Sequence, residues 1–249
     1  MELLNEVDVE DVGSAVLAGR EVRKHGPYRV QIGDENLNYR PTVIADPVPT
    51  GGQVLEAAGL RPVDDYLLFQ VLSNGLLEPI NPSETTDLRQ AGVEKFLAFK
   101  SDRTFRFFID GQAQDWGAQR ISGRTLKKLA GVDAQKYDIF LVVVGGEDEL
   151  IEDRDLFDLS RPSVEHFATA EISIQVFVNT LPKIVHAHTL SYWEVVRLEY
   201  PDAVPGPNAQ YTVTYSKGFE GPSLRNLVDG QHVQIKKGMH LNVTPTDKS

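Results

Sequence analysis

Hydrophobic and polar positions along this chain change period several times, and the changes recur in a fixed order. YRVQI with PTVIA, and further on FRFFI with AQRI, alternate apolar and polar side chains, the period of two expected of half-buried strands paired as hairpins. A helix start follows each. Thr50-x-x-Gln53 has the form of a capping box, and Ser122 stands in the matching place, so a hydroxyl is at hand for an otherwise unpaired amide. The helices they open, QVLEAA and RTLKKLA, run about two to three turns and stop at Gly59 and Gly131, where a left-handed carboxyl cap costs glycine nothing. Next come the apolar strands DYLLFQVL and YDIFLVVV, then Asn74-Gly75 and Gly145-Gly146, dipeptides that tolerate the positive φ of a tight turn. A short strand, VEKFLAF or VEHFATA, closes each stretch.

That order reflects a duplication. Residues 52–96 laid on 123–167 without gaps, at an offset of 71, share 13 of 45 positions, where chance at roughly one in sixteen gives about three. Gly52 and Leu55 fall on Gly123 and Leu126, and Tyr66 and Phe96 on Tyr137 and Phe167. The remaining third lacks such identity yet keeps the punctuation. IQVFVNT and KIVHAHTL form a hairpin, Ser191-x-x-Glu194 opens the helix YWEVVRLEY, Pro201 stops it, and AQYTVTYSKG and QHVQIKKGMHLNV supply strands. A hairpin, a crossing helix and returning strands make a mixed sheet with one helix on one face, the β-grasp arrangement. The fold expected is α+β: three tandem β-grasp domains at 27–101, 102–170 and 171–249, separately packed and joined by junctions too short for a flexible tether. Residues 1–26 form an amino-terminal helical arm with Val9, Val12, Val16 and Leu17 on one face, either docked or free to engage another protein.

Composition narrows the partners. Lys and Arg number 25 against 36 Asp and Glu, a net charge of −11, which argues against nucleic acid and anionic membrane surfaces. There is no cysteine, so thiolate metal sites, cysteine nucleophiles and thioester carriers are impossible on this polypeptide. The longest apolar run, residues 139–144, is far too short to span a bilayer, and the acidic start does not read as a leader, which points to the cytoplasm.

Few constellations suggest chemistry. Gly145-Gly146 aligns with a hairpin turn and is read as one. The acidic stretch GGEDELIEDRDLFD lacks the spacing of a calcium loop and reads as a solvated face. His186 and His188, placed alternately on one strand, point the same way, a spacing that suits zinc or copper, but two ligands make no site, and His232 and His240 cannot be placed. No phosphate loop, G-x-S-x-G or H-E-x-x-H occurs, so neither enzyme activity nor a cofactor is expected.

With its three units in hand, the chain resembles the bacterial multiubiquitin-domain family of tandem ubiquitin-like proteins. The likeness rests on GLRPVDDYLLFQVLSNGLLEPINPSETTDLRQAGVEKFLAFKSDRTFRF, ISGRTLKKLAGVD, DLSRPSVEHF, SYWEVVRLEYPDA and GMHLNVTPTDKS, and covers about residues 28–249. The resemblance implies a protein modifier acting with an adenylating activating enzyme, a conjugating enzyme and a JAB-type metallopeptidase, in bacterial systems associated with antiviral defence. It places the chemistry on the carboxyl-terminal tail, Thr246, Asp247, Lys248 and Ser249, after a proline expected to stop strand pairing. Lys236 and Lys237 become candidate acceptors for a second modifier. The tail lacks the terminal diglycine of ubiquitin, which implies an adapted enzyme, a trimmed tail, or no conjugation. The alternative is a noncovalent module that assembles with itself into an oligomer or filament through its sheet edges.

Overall fold

The computed structural model describes residues 8–90, 92–206 and 210–246. It divides into two compact units, one running to Val132 and resuming at Ile139–Thr169, the other comprising Asp133–Asp138 and the chain from Ala170.

The first unit opens with β1 (Glu10–Asp11) and helix α1 (Val12–Leu17), followed by β2 (Tyr28–Gly33), β3 (Tyr39–Ile44), α2 (Gly51–Ala57), β4 (Tyr66–Val71), β5 (Leu77–Ile80) and β6 (Lys95–Lys100). β2 and β3 are an antiparallel hairpin, β6 enters parallel to β2, and β4 pairs antiparallel to β6 with β5 beyond it. The same order recurs in β7 (Phe105–Ile109), β8 (Gln112–Trp116), β9 (Arg120–Ser122), α3 (Gly123–Leu129), β10 (Tyr137–Leu141), β11 (Glu149–Ile151), β12 (Leu156–Asp158) and β13 (Glu165–Glu171), whose main sheet runs β8-β7-β13-β10-β11. These are mixed sheets with short helices between their strands, an α+β, β-grasp-like class.

Several expectations need correction. AQRI does not complete the second hairpin: Gln112–Trp116 does, and Arg120–Ser122 pairs instead with Leu156–Asp158. The amino-terminal stretch carries a helix of only six residues, capped by Asp11 through Ser14 N at 2.8 Å. It buries Val12 and Ala15 rather than a Val9-Val12-Val16-Leu17 face, and Leu17 is 91% exposed. β1 pairs with β2, so this segment is part of the first sheet. The ungapped offset also hides a slip. The residues that start the helices after their Thr50 and Ser122 caps are Gly51 and Gly123, so the helices match at an offset of 72, with Val54 rather than Leu55 answering Leu126.

Glu10 fastens this start. Its side chain is 1% exposed and accepts from Arg20 and, at 2.6 Å, from Arg23 Nε, which holds its carboxyl below the usual range chiefly through the Arg20 bond. A depressed carboxylate contributes stability above its unfolded pKa of 4.5 and loses it as pH falls. The contribution is about 1 kcal/mol, small because both guanidinium groups are half exposed. Glu10→Gln is therefore expected to flatten the acid limb of a stability-versus-pH curve below about pH 4.5 and leave its slope at neutral pH alone, measured by urea unfolding.

The two sheets of this unit do not pack as separate lobes. Phe69, Leu97 and Phe99, on the face of the first sheet away from α2, lie in one apolar cluster with Phe107, Trp116, Ile121, Leu126 and Phe167 of the second. Phe99 stacks edge-on with Trp116 at 4.7 Å and with Phe69 at 5.6 Å. The two-sided burial is visible in β6, where Phe96, Leu97, Ala98 and Phe99 are all buried.

The second unit repeats the plan with β14 (Ile174–Val178), β15 (Leu181–Val185), β16 (Thr189–Ser191), α4 (Tyr192–Glu199), β17 (Tyr211–Ser216), β18 (Arg225–Leu227), β19 (His232–Gln234) and β20 (His240–Pro245), in the order β15-β14-β20-β17-β18. Its core gathers Val176, Val178, Val195, Val213, Leu241 and Val243 beneath α4. Ser191 and Glu194 form the expected capping box, and bonds from Ser191 hold the Glu194 carboxyl below its usual range. On the opposite face, the register sets Thr212, Thr214 and Ser216 of β17 beside Asn242 and Thr244 of β20, where the first sheet has Leu67, Phe69, Val71, Leu97 and Phe99.

Candidate functional site

The segment leading to the carboxyl-terminal residues is the central strand of the third sheet. In β20 the side chains alternate, Leu241 and Val243 buried at 0% and 1%, Asn242 and Thr244 turned outward. β14 flanks it on one side as far as Val178, and β17 flanks it on the other for its whole length.

Pro245 does not end the pairing as expected. It lies opposite Tyr211, and Thr246 N donates to Gln210 O at 2.8 Å. Thr246 Oγ1 is 3.0 Å from Thr212 Oγ1. In an antiparallel ladder, amides at alternate residues point to alternate neighbours. Thr246 points to β17, so Thr244 does too, and the proline nitrogen falls on the other side. There β14 has already turned away, and the missing N–H costs no ladder bond.

That turn supplies a contact the sequence reading missed. Asn179 and Thr180 take positive φ of 46° and 72°, the primed geometry that matches strand twist. The Asn179 amide lies along β20 like one more peptide: Nδ2 donates to Val243 O at 2.9 Å, and Val243 N donates to Oδ1 at 2.9 Å. The available signal was the asparagine in VNTL between two alternating runs.

Of the four predicted tail residues, Thr246 is placed as described; Asp247, Lys248 and Ser249 lie outside the described residues. Lys236 and Lys237 are exposed on the turn before β20, where Met239 N donates to Lys236 O and Gly238 takes φ 78°. The Lys236 ammonium stands 5.6 Å from the Phe219 ring centroid. Six strand residues, a rise of about 20 Å, separate these lysines from Thr246, which stands at the other end of β20.

The other candidates resolve into local roles. His186 and His188 sit on the connection after β15 rather than on a strand; His186 Nδ1 lies 2.8 Å from Ile172 O, and His188 Nε2 2.9 Å from the Asp138 carboxylate. His240 Nε2 is 3.1 Å from Lys217 Nζ, and His232 lies on β19. Among the described residues no three His, Asp or Glu side chains gather as a metal ion requires. Gly145-Gly146 falls in the loop between β10 and β11, with Gly145 at φ 76°. Acids of the following stretch bond backbone: Asp148 accepts from Val143 N and Asp155 from Glu152 N, both at 3.0 Å. No helix among the described residues is long and apolar enough to cross a membrane.

Comparison with known proteins agrees with the threefold plan. A family model described as multiubiquitin matches residues 35–101, 105–172 and 174–247, nearly one match per sheet. No curated protein matches the chain.

Proposed function

Given that the chain belongs to the multiubiquitin family, we propose that it is a ubiquitin-like protein modifier of a bacterial conjugation system serving antiviral defence, whose carboxyl-terminal carboxylate is activated by an adenylating enzyme. The observation that carries this reading is the path of β20. A central strand anchored by Leu241 and Val243 leads directly into Thr244–Thr246, which keep a sheet neighbour on one side only. An adenylating site needs an extended, mobile carboxylate, and a strand that emerges from a rigid core supplies a fixed root for one. With no cysteine in the chain, a thiol that receives the acyl group belongs to the activating or conjugating enzyme, and the chain is the passenger. A JAB-type metallopeptidase would cleave the product. Lys236 and Lys237, exposed at the far end of the same strand, are the proposed sites for adding a second modifier.

The purified chain incubated with a cognate adenylating enzyme and ATP is expected to give an acyl-adenylate or enzyme adduct by intact mass spectrometry. A chain ending at Val243 is expected to give at least a hundredfold less. Absence of an adduct with the full chain and with every trimmed tail would overturn the reading.

A further inference from the structure

We propose that the Asn179 side chain is a positioning residue that sets where the third sheet releases its last strand, so that the segment available to a partner begins at Thr244. This rests on the tail being the reactive element, as proposed above. Val243 directs its N–H and C=O away from β17, towards a position that β14 has vacated. Both groups are satisfied by the Asn179 amide, at 2.9 Å each. A carboxamide is the one short side chain with a donor and an acceptor placed to mimic a peptide unit, and asparagine also tolerates the φ of 46° found here. Beyond Val243 that edge changes character. Pro245 offers no N–H, so among the described residues the edge beyond Val243 holds no amide donor on which a partner strand could build a ladder. The other described amides beyond Val243, those of Thr244 and Thr246, face β17. A partner that reads this segment by backbone bonds must therefore first peel it from Tyr211 and Thr212, and the Asn179 grip is where the peeling stops.

A second sheet carries the same device where its chain leaves. Asp110, at the corresponding turn after β7 and with φ 49°, accepts from Thr169 N and from Thr169 Oγ1, both at 2.8 Å. Thr169 stands two residues after Phe167, as Val243 stands two after Leu241, and Phe167 and Leu241 pair with Ile109 and Val178, the residues just before the two turns. There too the strand runs on beyond the clamp, to Glu171, as β20 runs on to Pro245. At both exits, then, a turn side chain holds the final strand two residues beyond its last parallel partner.

Hydrogen–deuterium exchange of the full chain tests the assignment without any partner enzyme. Asn179→Gly keeps the positive φ and removes only the side chain. It is expected to speed exchange at the Val243 amide on the order of tenfold, as loss of a buried bond pair does, while Val213 and Tyr215 on β17 exchange as in the parent. Asn179→Asp, which keeps the acceptor and loses the donor, is expected to fall between. Thr212→Val, which removes the bond to Thr246 Oγ1, is expected to speed exchange at Thr246 and leave Val243 unchanged. Unchanged exchange at Val243 in Asn179→Gly, or a uniform rise across the sheet, would overturn the proposal. Adduct formation is scored separately: if the parent forms an adduct, Asn179→Gly is expected to change its initial rate severalfold. A parent that forms none defeats the modifier reading and leaves the exchange result standing.

Discussion

Replacing Gly117 with alanine is expected to destabilise the first unit by about 3 kcal/mol, at the upper end for overpacking a core. A Cβ on Gly117 would stand 2.5 Å from Phe99 Cγ and 2.6 Å from Phe99 Cβ and Cδ2, well inside any contact real side chains make. Phe99 cannot swing aside. It is 2% exposed, it stacks against Trp116 on one side and Phe69 on the other, and the clash reaches its Cβ, close to the backbone of β6. The strain must spread into the shared cluster, so both sheets of the unit lose stability together in equilibrium urea unfolding. Phe99→Ala attacks the same contact by emptying it and is expected to cost about 3–5 kcal/mol. Combining the two should cost less than their sum, because the cavity left by the ring accepts the new methyl. A strictly additive double variant would argue that Gly117 and Phe99 do not meet.

The second large effect is expected at the helix starts. Gly123 is the first residue of α3, and a Cβ there would lie 2.3 Å from Glu152 O and 3.0 Å from Ile151 O. These are backbone atoms at the end of β11 and just after it, with no flexible end to give way. Gly51 at the start of α2 faces Asn81 O at 2.6 Å in the same manner. Gly123→Ala is thus expected to cost about 3 kcal/mol and Gly51→Ala somewhat less, both read as shifts in urea midpoint. The third sheet has no such restriction: Tyr192 occupies the corresponding place, its side chain buried and its hydroxyl donating to Tyr211 O at 2.7 Å. Burial accordingly pushes the Tyr192 phenol up. Tyr192→Gly should therefore destabilise its sheet, the reverse of what glycine does in the other two.

Those glycines also explain why part of the fold was legible from the residues and part was not. Strand and helix types followed the period of the pattern, because each sheet has one buried face and each helix begins at a side-chain cap. The ungapped alignment slipped by one in the helices because glycine stands at both 51 and 52, so identity at Gly52 masked the true partner of Gly123. The second hairpin was misassigned because a buried polar residue, Gln114, sits at 4% exposure in the inward row of β8 and breaks its alternation. Val142 to Val144 read as strand yet leave it, with Val144 fully exposed in the loop ahead of Gly145. The shared core had a signal that went unused: FLAF is apolar on both faces, whereas LNVT alternates. At the tail the proline rule failed for a geometric reason, since which neighbour the missing N–H would have faced depends on register, and register is not written in the local sequence. The Asn179 contact joins residues 64 positions apart, a separation no local pattern reports.

The hydroxyl-bearing face of the third sheet has a consequence for how many such sheets can be joined this way. A β-grasp unit that arrived there as the second sheet meets the first would bring a tryptophan and a bare glycine against Thr212, Thr214, Ser216 and Thr244, groups that prefer to stay hydrated. The oily seat that welcomes a neighbour on one sheet is therefore replaced on the other by a surface that water keeps, and accretion by that mode halts there.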